Sequence, residues 1–175
     1  GSDRILAMMN RGYTRAEYLG WIAKLRAVRP EATLSTDIIV GFPSETAAEF
    51  EQTREAMRIV GYDMAYIFKY SPRTGTAACR DYPDDVPTEE KERRNQILLD
   101  ELEAHVEQAN RAMLGQRVEV MVHGVSKINR ERWCGRTATN KMVIFPPPAG
   151  GVAQGDLVVV EIDRTTANSL FGRIV

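Results

Sequence analysis

Apolar residues recur at helical spacing in four segments of the chain, and each segment begins or ends with a recognisable signal. Residues 3–9 are predicted as a short helix, residues 14–28 and 46–60 as longer helices, and residues 88–113 as a long one. Thr14 with Glu17 and Thr46 with Glu49 match the capping box, in which two side chains satisfy free backbone donors at a helix start. Gly61 is placed to end the third helix in a left-handed conformation.

Two β-branched or aromatic runs lie between these helices. Residues 33–40 and 64–70 are predicted as strands, and Gly41 with Pro43 ends the first of them in a sharp turn. The order helix, strand, helix, strand with short connections predicts parallel pairing. Loops after such strands often bind ligands, although a turn that merely links strand to helix is the plainer interpretation.

The period of the pattern changes from helical to two after residue 114. Short alternating runs predict about five strands in the last 60 residues, which is typical of a small closed barrel of the oligonucleotide-binding type. Basic residues near Trp133 and Phe145 would suit RNA through phosphate contacts and base stacking. A purely structural barrel with ordinary surface charges remains the alternative.

Composition and charge limit the class of protein. The chain has 175 residues, a hydrophobic fraction of 43% and a net charge of −1. Residues 114–175 carry eight basic and five acidic side chains, a net +3, so this part is the better candidate for an anionic partner. No apolar run approaches the roughly 20 residues needed to span a bilayer, and no signal segment is evident, so we expect a cytoplasmic protein. Cys79 and Cys134 are too few for a four-ligand metal site.

These patterns predict an α/β half followed by an all-β half. We assign residues 1–87 to part of a larger TIM-like α/β barrel, since two parallel strands cannot make a covered sheet. Residues 88–113 are a connecting helix, and residues 114–175 a small five-stranded β-barrel. The chain is therefore predicted either to be part of a longer protein or to complete itself by self-association.

Several motifs resemble the radical-SAM methylthiotransferases. The resemblance rests on residues 1–18, on Tyr70-Ser71-Pro72-Arg73 with Gly75-Thr76, and above all on Ser35-Thr36-Asp37-Ile38-Ile39-Val40-Gly41-Phe42-Pro43 with Glu45-Thr46. The last 62 residues resemble a TRAM domain, the RNA-binding module that ends these enzymes. Gly135-Arg136-Thr137 followed by Thr139-Asn140-Lys141 is similar to the branch that acts on tRNA.

This resemblance implies a radical-SAM barrel half with an OB-like TRAM barrel, and the activity of a tRNA methylthiotransferase. Such an enzyme adds a methylthio group to carbon 2 of an isopentenyladenosine beside the anticodon, using S-adenosylmethionine and two 4Fe-4S clusters. It also implies contact with the anticodon stem-loop of tRNA.

The resemblance also implies individual site residues. Loops at the strand ends would border S-adenosylmethionine, and an arginine could pair with its carboxylate; the candidates are Arg11, Asp37, Ile39, Gly41, Phe42, Tyr70 and Ser71. Core packing for Ile39 and Gly41, and a surface position for Arg11, are the alternatives. The candidates for RNA contact are Lys127, Arg130, Arg136, Thr139, Asn140 and Lys141.

One departure from the family pattern is large. The family binds its clusters through a CxxxCxxC motif and three further cysteines, and neither Cys79 nor Cys134 fits those patterns. We therefore expect no cofactor on this chain alone, no activity of it alone, and a need for N-terminal cluster-binding segments of the same enzyme. The competing hypothesis is a stand-alone RNA-binding protein whose α/β half is scaffold.

Overall fold

A computed structural model describes residues 1–147 and 150–175, and its coordinates divide into two units. Unit 1 comprises Gly1–Leu102 and unit 2 comprises Glu103–Val175. The helix predicted to connect two domains crosses this division, so its earlier turns belong to unit 1 and its last turns to unit 2. The predicted domain limits at residues 87 and 113 stay predictions.

Unit 1 alternates helices with two strands, as the pattern predicted. Its elements in chain order are α1 (Asp3–Met8), α2 (Arg15–Val28), β1 (Ser35–Val40), α3 (Ala47–Val60), β2 (Met64–Lys69), α4 (Ala77–Asp81) and most of α5 (Thr88–Arg111). Both predicted capping boxes are present, with Thr14 and Thr46 each accepting a hydrogen bond from the backbone of the glutamate three residues on. Gly61 ends α3 with φ 63°, the left-handed conformation expected of a glycine at this position.

Two helix starts complete the description of unit 1. Thr76 caps the short helix α4 by accepting a hydrogen bond from the Cys79 amide. Helix α5 begins at Thr88, and the Pro87 carbonyl accepts the amide hydrogen of Lys91. A proline before the helix leaves no amide hydrogen to satisfy there.

The two strands of unit 1 form a parallel pair. The register aligns Ser35 with Met64 and Val40 with Lys69. One face of the pair packs on helices around Val40, which is fully buried, together with Phe50 of α3 and Leu98 of α5. On the other face Tyr66 and Phe68 are stacked on each other and about half exposed. That this pair belongs to a larger radical-SAM barrel stays a prediction.

Unit 2 is a closed five-stranded barrel, which confirms the prediction from the alternating pattern. Its strands run in the order β3-β4-β5-β7-β6 around the barrel. They are β3 (Arg117–Val125), β4 (Trp133–Thr137), β5 (Met142–Phe145), β6 (Leu157–Thr165) and β7 (Leu170–Ile174). Strand β3 continues to Val125, because a register shift between Val122 and Gly124 keeps it paired with β4.

The interior of the barrel is almost entirely hydrocarbon. Its fully or nearly fully buried side chains are Val120, Val122, Val143, Phe145, Val160, Ile162 and Leu170. Two strand glycines complete this packing, because a Cβ at Gly135 would lie 2.3 Å from the Met121 carbonyl oxygen and one at Gly172 would lie 2.1 Å from that of Glu161. In the described part of the chain, no helix has the length and apolarity that crossing a membrane requires.

Candidate functional site

A cavity of about 730 Å³ opens in unit 1 beside the β1–β2 pair. It is bordered by α1, the start of α2, both strands and the loop after β2. Five of the seven residues predicted to contact the cofactor line it: Arg11, Asp37, Ile39, Tyr70 and Ser71. The sequence grouped these residues only through the resemblance to the radical-SAM methylthiotransferases, and the structure places them around one cavity.

Gly41 and Phe42 do not line this cavity. The Gly41 backbone has φ 67°, and a Cβ there would lie 2.4 Å from Cγ of Lys91, so the residue is a glycine for turn geometry and close packing. Phe42 is 3% exposed and packs its ring edge-on against Tyr70 and Tyr82. Both residues therefore pack against neighbouring side chains instead of facing the cavity, and the geometry favours the packing interpretation of Gly41.

Charges of both signs line the cavity, and several have no partner. Within the described residues, the side chains of Arg11, Asp37 and Arg73 make no hydrogen bond or ion pair. Arg15 and Lys69 also line it, but they pair with Glu55 at 2.7 Å and Glu92 at 2.9 Å. The unpaired groups can therefore meet a ligand that carries a carboxylate and a cation.

Tyr70 carries the clearest unsatisfied polar atom of this cavity. Its hydroxyl is buried and has no hydrogen-bond partner among the described residues, which is a costly arrangement for a polar group. Its ring lies 5.1 Å from that of Phe42, and the Lys91 ammonium is 5.4 Å from its centre. Burial raises the pKa of the Tyr70 hydroxyl, so it stays protonated and can donate a hydrogen bond to a ligand.

A pair of tyrosines closes another side of the cavity. The Tyr18 and Tyr62 hydroxyls are 2.6 Å apart, and Tyr62 is 6% exposed. Burial, followed by the hydrogen bond with Tyr18, raises the pKa of Tyr62 well above its ordinary value. The Tyr62 phenol therefore remains neutral, and its hydrogen bond with Tyr18 ties α2 to the segment between α3 and β2.

Behind the Gly41 turn lies a buried ion pair that the sequence did not reveal. The Arg94 guanidinium is 2.7 Å from the Glu45 carboxylate and also donates to the Glu45 carbonyl, and both side chains are at most 5% exposed. Glu45 in turn accepts the Gly41 amide hydrogen at 2.7 Å. Arg94 and Lys91 lie on the face of α5 that is rich in charged residues. They are buried because this face packs on the β1 turn.

The six residues predicted to contact RNA lie in unit 2, in two groups. Arg136, Thr139, Asn140 and Lys141 belong to the tight β4–β5 hairpin, whereas Lys127 and Arg130 lie in the exposed β3–β4 loop. These two groups stand at opposite ends of β4, about 13 Å apart along the strand. The two groups therefore do not form one cluster, and any RNA that contacts both must extend along β4.

Most of the hairpin motif has a structural role. Asn140 has φ 64°, a conformation that asparagine tolerates better than most residues, and its carbonyl accepts a hydrogen bond from Arg136 at 2.7 Å. The Lys141 ammonium donates to the Asn110 amide oxygen at 2.9 Å. Asn110, at 3% exposure, also donates to the backbone carbonyls of Thr166 and Ala167. This buried asparagine thus joins the hairpin to the β6–β7 turn.

Comparison with known proteins gives results for both units. The family profile described as TRAM domain matches residues 111–175. Over all 175 residues the chain is 43% identical to a tRNA-2-methylthio-N(6)-dimethylallyladenosine synthase of Neisseria gonorrhoeae, 46% to one of Opitutus terrae and 44% to one of Parabacteroides distasonis. The chain matches the C-terminal part of this synthase family. It spans 39%, 36% and 38% of those three proteins, so it corresponds to well under half of each.

Within the TRAM domain, the aromatic residues first considered for base stacking are not free to stack. Phe145 is fully buried in the barrel, and Trp133 is partly buried against the same core, because β4 and β5 turn those positions inward. Phe171 instead lies on the outer side of β7, with the Arg164 guanidinium 3.5 Å from its ring centre. Alternation along β7 would have found it, because an aromatic residue between the inward positions Leu170 and Gly172 must face outward.

Proposed function

We propose that this chain is part of a tRNA methylthiotransferase that modifies carbon 2 of an isopentenyladenosine beside the anticodon by radical S-adenosylmethionine chemistry. The observation that carries the proposal is identity of 43–46% to three synthases of that name over all 175 residues, which includes unit 1 as well as the TRAM domain. A protein that shared only an RNA-binding module would match over residues 111–175 alone.

In this proposal unit 1 contributes part of the S-adenosylmethionine site. That ligand carries a carboxylate, an ammonium, a sulfonium and a hydroxylated nucleoside. The unpaired Arg11 suits its carboxylate, the unpaired Asp37 suits a cationic centre, and the Tyr70 hydroxyl suits a ligand acceptor. The bound cofactor supplies the radical and methyl chemistry, and the residues of this chain bind it, orient it and exclude water.

The residues of the chain do not fit an iron–sulfur cluster. Among the described residues, no three His, Cys, Asp or Glu side chains come together as a metal site, and Cys79 and Cys134 belong to different units. In the proposal, cluster ligands come from N-terminal segments of the same enzyme. The exposed Tyr66–Phe68 face and the two unpaired edges of the β1–β2 pair are where such segments would extend unit 1 into a larger barrel.

The TRAM domain is the proposed contact with the anticodon stem-loop. Its charge is net positive, whereas the rest of the chain is net negative, and Lys127, Arg130 and Arg136 offer three basic side chains on both ends of β4. Neutralising phosphates with such side chains makes affinity fall steeply as salt rises.

Binding of RNA is tested first. An anticodon stem-loop RNA is titrated with the full chain at several salt concentrations, with an RNA duplex of the same length as the comparison. We expect binding whose affinity falls with salt and is reduced several-fold in Lys127→Gln with Arg130→Gln. A chain that shows no salt-sensitive binding would contradict the RNA role of the TRAM domain.

The enzyme role needs a second test, which separates it from the stand-alone RNA-binding protein. The chain is mixed with the iron-loaded part of the Neisseria gonorrhoeae synthase that it does not match, together with S-adenosylmethionine and isopentenylated stem-loop RNA. We expect a methylthio group on the RNA, detected by mass spectrometry, and a loss of most of this product in Arg11→Gln. Stable RNA binding without any association with that part would favour the alternative.

A further inference from the structure

The outer surface of the TRAM barrel has two unlike sides. On strands β3 and β6 the outward positions include Glu119 and Glu161, and Glu161 pairs with both Arg117 and Arg173. On strands β4, β5 and β7 the register aligns Cys134 with Ile144, Ile144 with Phe171, and Phe171 with Arg164 of β6. No acidic side chain stands in this row.

Alternation along the strands places this row on the outside of the barrel. Val143, Leu170 and Gly172 are buried and face inward. Ile144 follows Val143 and Phe171 lies between Leu170 and Gly172, so both face outward. Cys134 occupies the matching outward position next to the buried Gly135. The row of Cys134, Ile144 and Phe171 is therefore an apolar strip on the barrel surface, and it ends at the Arg164 guanidinium.

Arg164 stands out among the arginines of this domain. Its guanidinium lies 3.5 Å from the centre of the Phe171 ring, it is exposed, and it makes no ion pair within the described residues. Arg117 and Arg173, by contrast, are held by the Glu161 carboxylate at 3.3 Å and 2.9 Å. A planar cation fixed on an aromatic ring, with no ion pair to a carboxylate within the described residues, offers a flat face to a further planar group.

We propose that the Arg164–Phe171 pair is a stacking platform for one unpaired nucleobase of the bound RNA. This deepens the proposed function, on which it rests, by naming the side of the TRAM barrel that meets RNA. Bases splayed from loops stack on aromatic rings and on arginine planes, and such stacking tolerates any base.

The strand geometry connects the platform to the basic hairpin. Arg136 lies on β4, in the row next to that of Cys134, and Phe171 stands two strand spacings away, about 10 Å. About three nucleotides at a rise of 3.4 Å cover this distance. One RNA strand can therefore place a phosphate at Arg136 and a base on Arg164.

The test compares two charge-conserving substitutions in the full chain. Arg164→Lys keeps the positive charge but loses the planar face. Arg173→Lys is the matched control, because it makes the same change at an arginine that is paired with Glu161. Phe171→Leu removes the ring and keeps an apolar side chain. The probe is a series of anticodon stem-loop RNAs, each with a single fluorescent 2-aminopurine, whose emission falls when the base stacks.

We expect quenching at one or two positions with the unaltered chain and with Arg173→Lys. Phe171→Leu should bind about tenfold more weakly, without a change in salt dependence, and should lose the quenching. Arg164→Lys, a surface change that leaves the core intact, should also lose it. Unchanged affinity and quenching in both variants, with normal RNA binding by the unaltered chain, would overturn the platform alone. An unaltered chain that binds no RNA would overturn the platform and the RNA role together.

Discussion

The two units differ in whether the edges of their strands are paired. The five strands of unit 2 close on one another, so no strand edge of that barrel is left unpaired. Unit 1 has a parallel pair of two strands, and among the residues that the structure describes each of them pairs with the other alone. Parallel sheets are normally covered on both faces, yet Tyr66 and Phe68 of β2 are 56% and 52% exposed. Unit 2 is thus a closed barrel, whereas unit 1 has an open two-stranded sheet within the described residues.

The units also differ in what fills their interiors. Unit 2 buries aliphatic side chains and Phe145, with Asn110 as its main buried polar link. Unit 1 buries charged groups, namely Glu45, Lys91 and Arg94. Burying ions costs solvation free energy that only good partners return, so removing one partner is severe. The comparison therefore predicts that different kinds of substitution break each unit.

The two tryptophans allow each unit to be followed by itself. Trp21 lies in α2 of unit 1, and Trp133 lies in β4 of unit 2. Replacing either one by phenylalanine leaves a single fluorescent reporter for the other unit. All unfolding measurements below use the full chain in these two backgrounds.

The largest effect is expected from Glu45→Ala, which removes the more buried of the two carboxylates that pair with Arg94, the other being Glu90, and leaves the Gly41 amide without its acceptor. We expect the free energy of unfolding of unit 1 to fall by about 3–5 kcal/mol, measured by urea titration with Trp21 as reporter. Glu51→Gln, at a half-exposed ion pair with Arg54 in the same unit, should cost less than about 1 kcal/mol. Equal losses for the two substitutions would remove the buried ion pair as the distinguishing feature of unit 1.

A somewhat smaller effect is expected from Gly172→Ala, which tests the packing of unit 2. The added methyl group would meet the Glu161 carbonyl oxygen and a Val160 methyl group. Overpacking of this kind costs about 1–3 kcal/mol, and we expect it in the urea transition reported by Trp133. Gly20→Ala, on an open face of α2, is the control and should leave both transitions unweakened. An unchanged urea midpoint in the Trp133 transition would contradict this prediction, because the barrel would then accommodate the added methyl group without losing stability.

The smallest effect concerns acid. Hydrogen bonds from Arg93 and then Arg94 lower the pKa of Glu90 to about 2, and those from Arg4 and then Thr46 and Ser2 lower the pKa of Glu49 strongly. A carboxylate with a lowered pKa stabilises the folded state above its ordinary value near 4.5 and loses that contribution as the pH falls towards 2. We therefore expect the Tm of unit 1 to fall between pH 5 and pH 3, by about 5 °C more than in Glu49→Gln. Thermal scans with the Trp21 reporter measure this, and parallel curves for the two proteins would contradict it.

Much of the local structure was predictable from the sequence, because its signals act between neighbouring residues. The Thr14 and Thr46 capping boxes, the Gly61 helix end and the period-two runs depend on side chains at most four positions apart. The five-stranded barrel followed from the same local patterns, whereas the family followed from the resemblance of longer motifs, above all residues 35–46. Of the cofactor candidates, Asp37, Ile39, Tyr70 and Ser71 lie on one cavity because they come from the parallel strands β1 and β2 or follow β2, whereas Arg11, between α1 and α2, was named through the resemblance alone.

The tertiary structure alone decided which polar and aromatic residues are available. Glu45 and Arg94 are 49 positions apart, and Lys141 and Asn110 are 31 apart, so no local pattern pairs them. Whether Phe145 or Phe171 faces solvent depends on strand register, because a shift of one residue exchanges the two faces of a strand. The sequence determined the elements through short-range hydrogen bonding and periodicity. Long-range packing then decided which of their side chains form a core and which remain to meet a ligand.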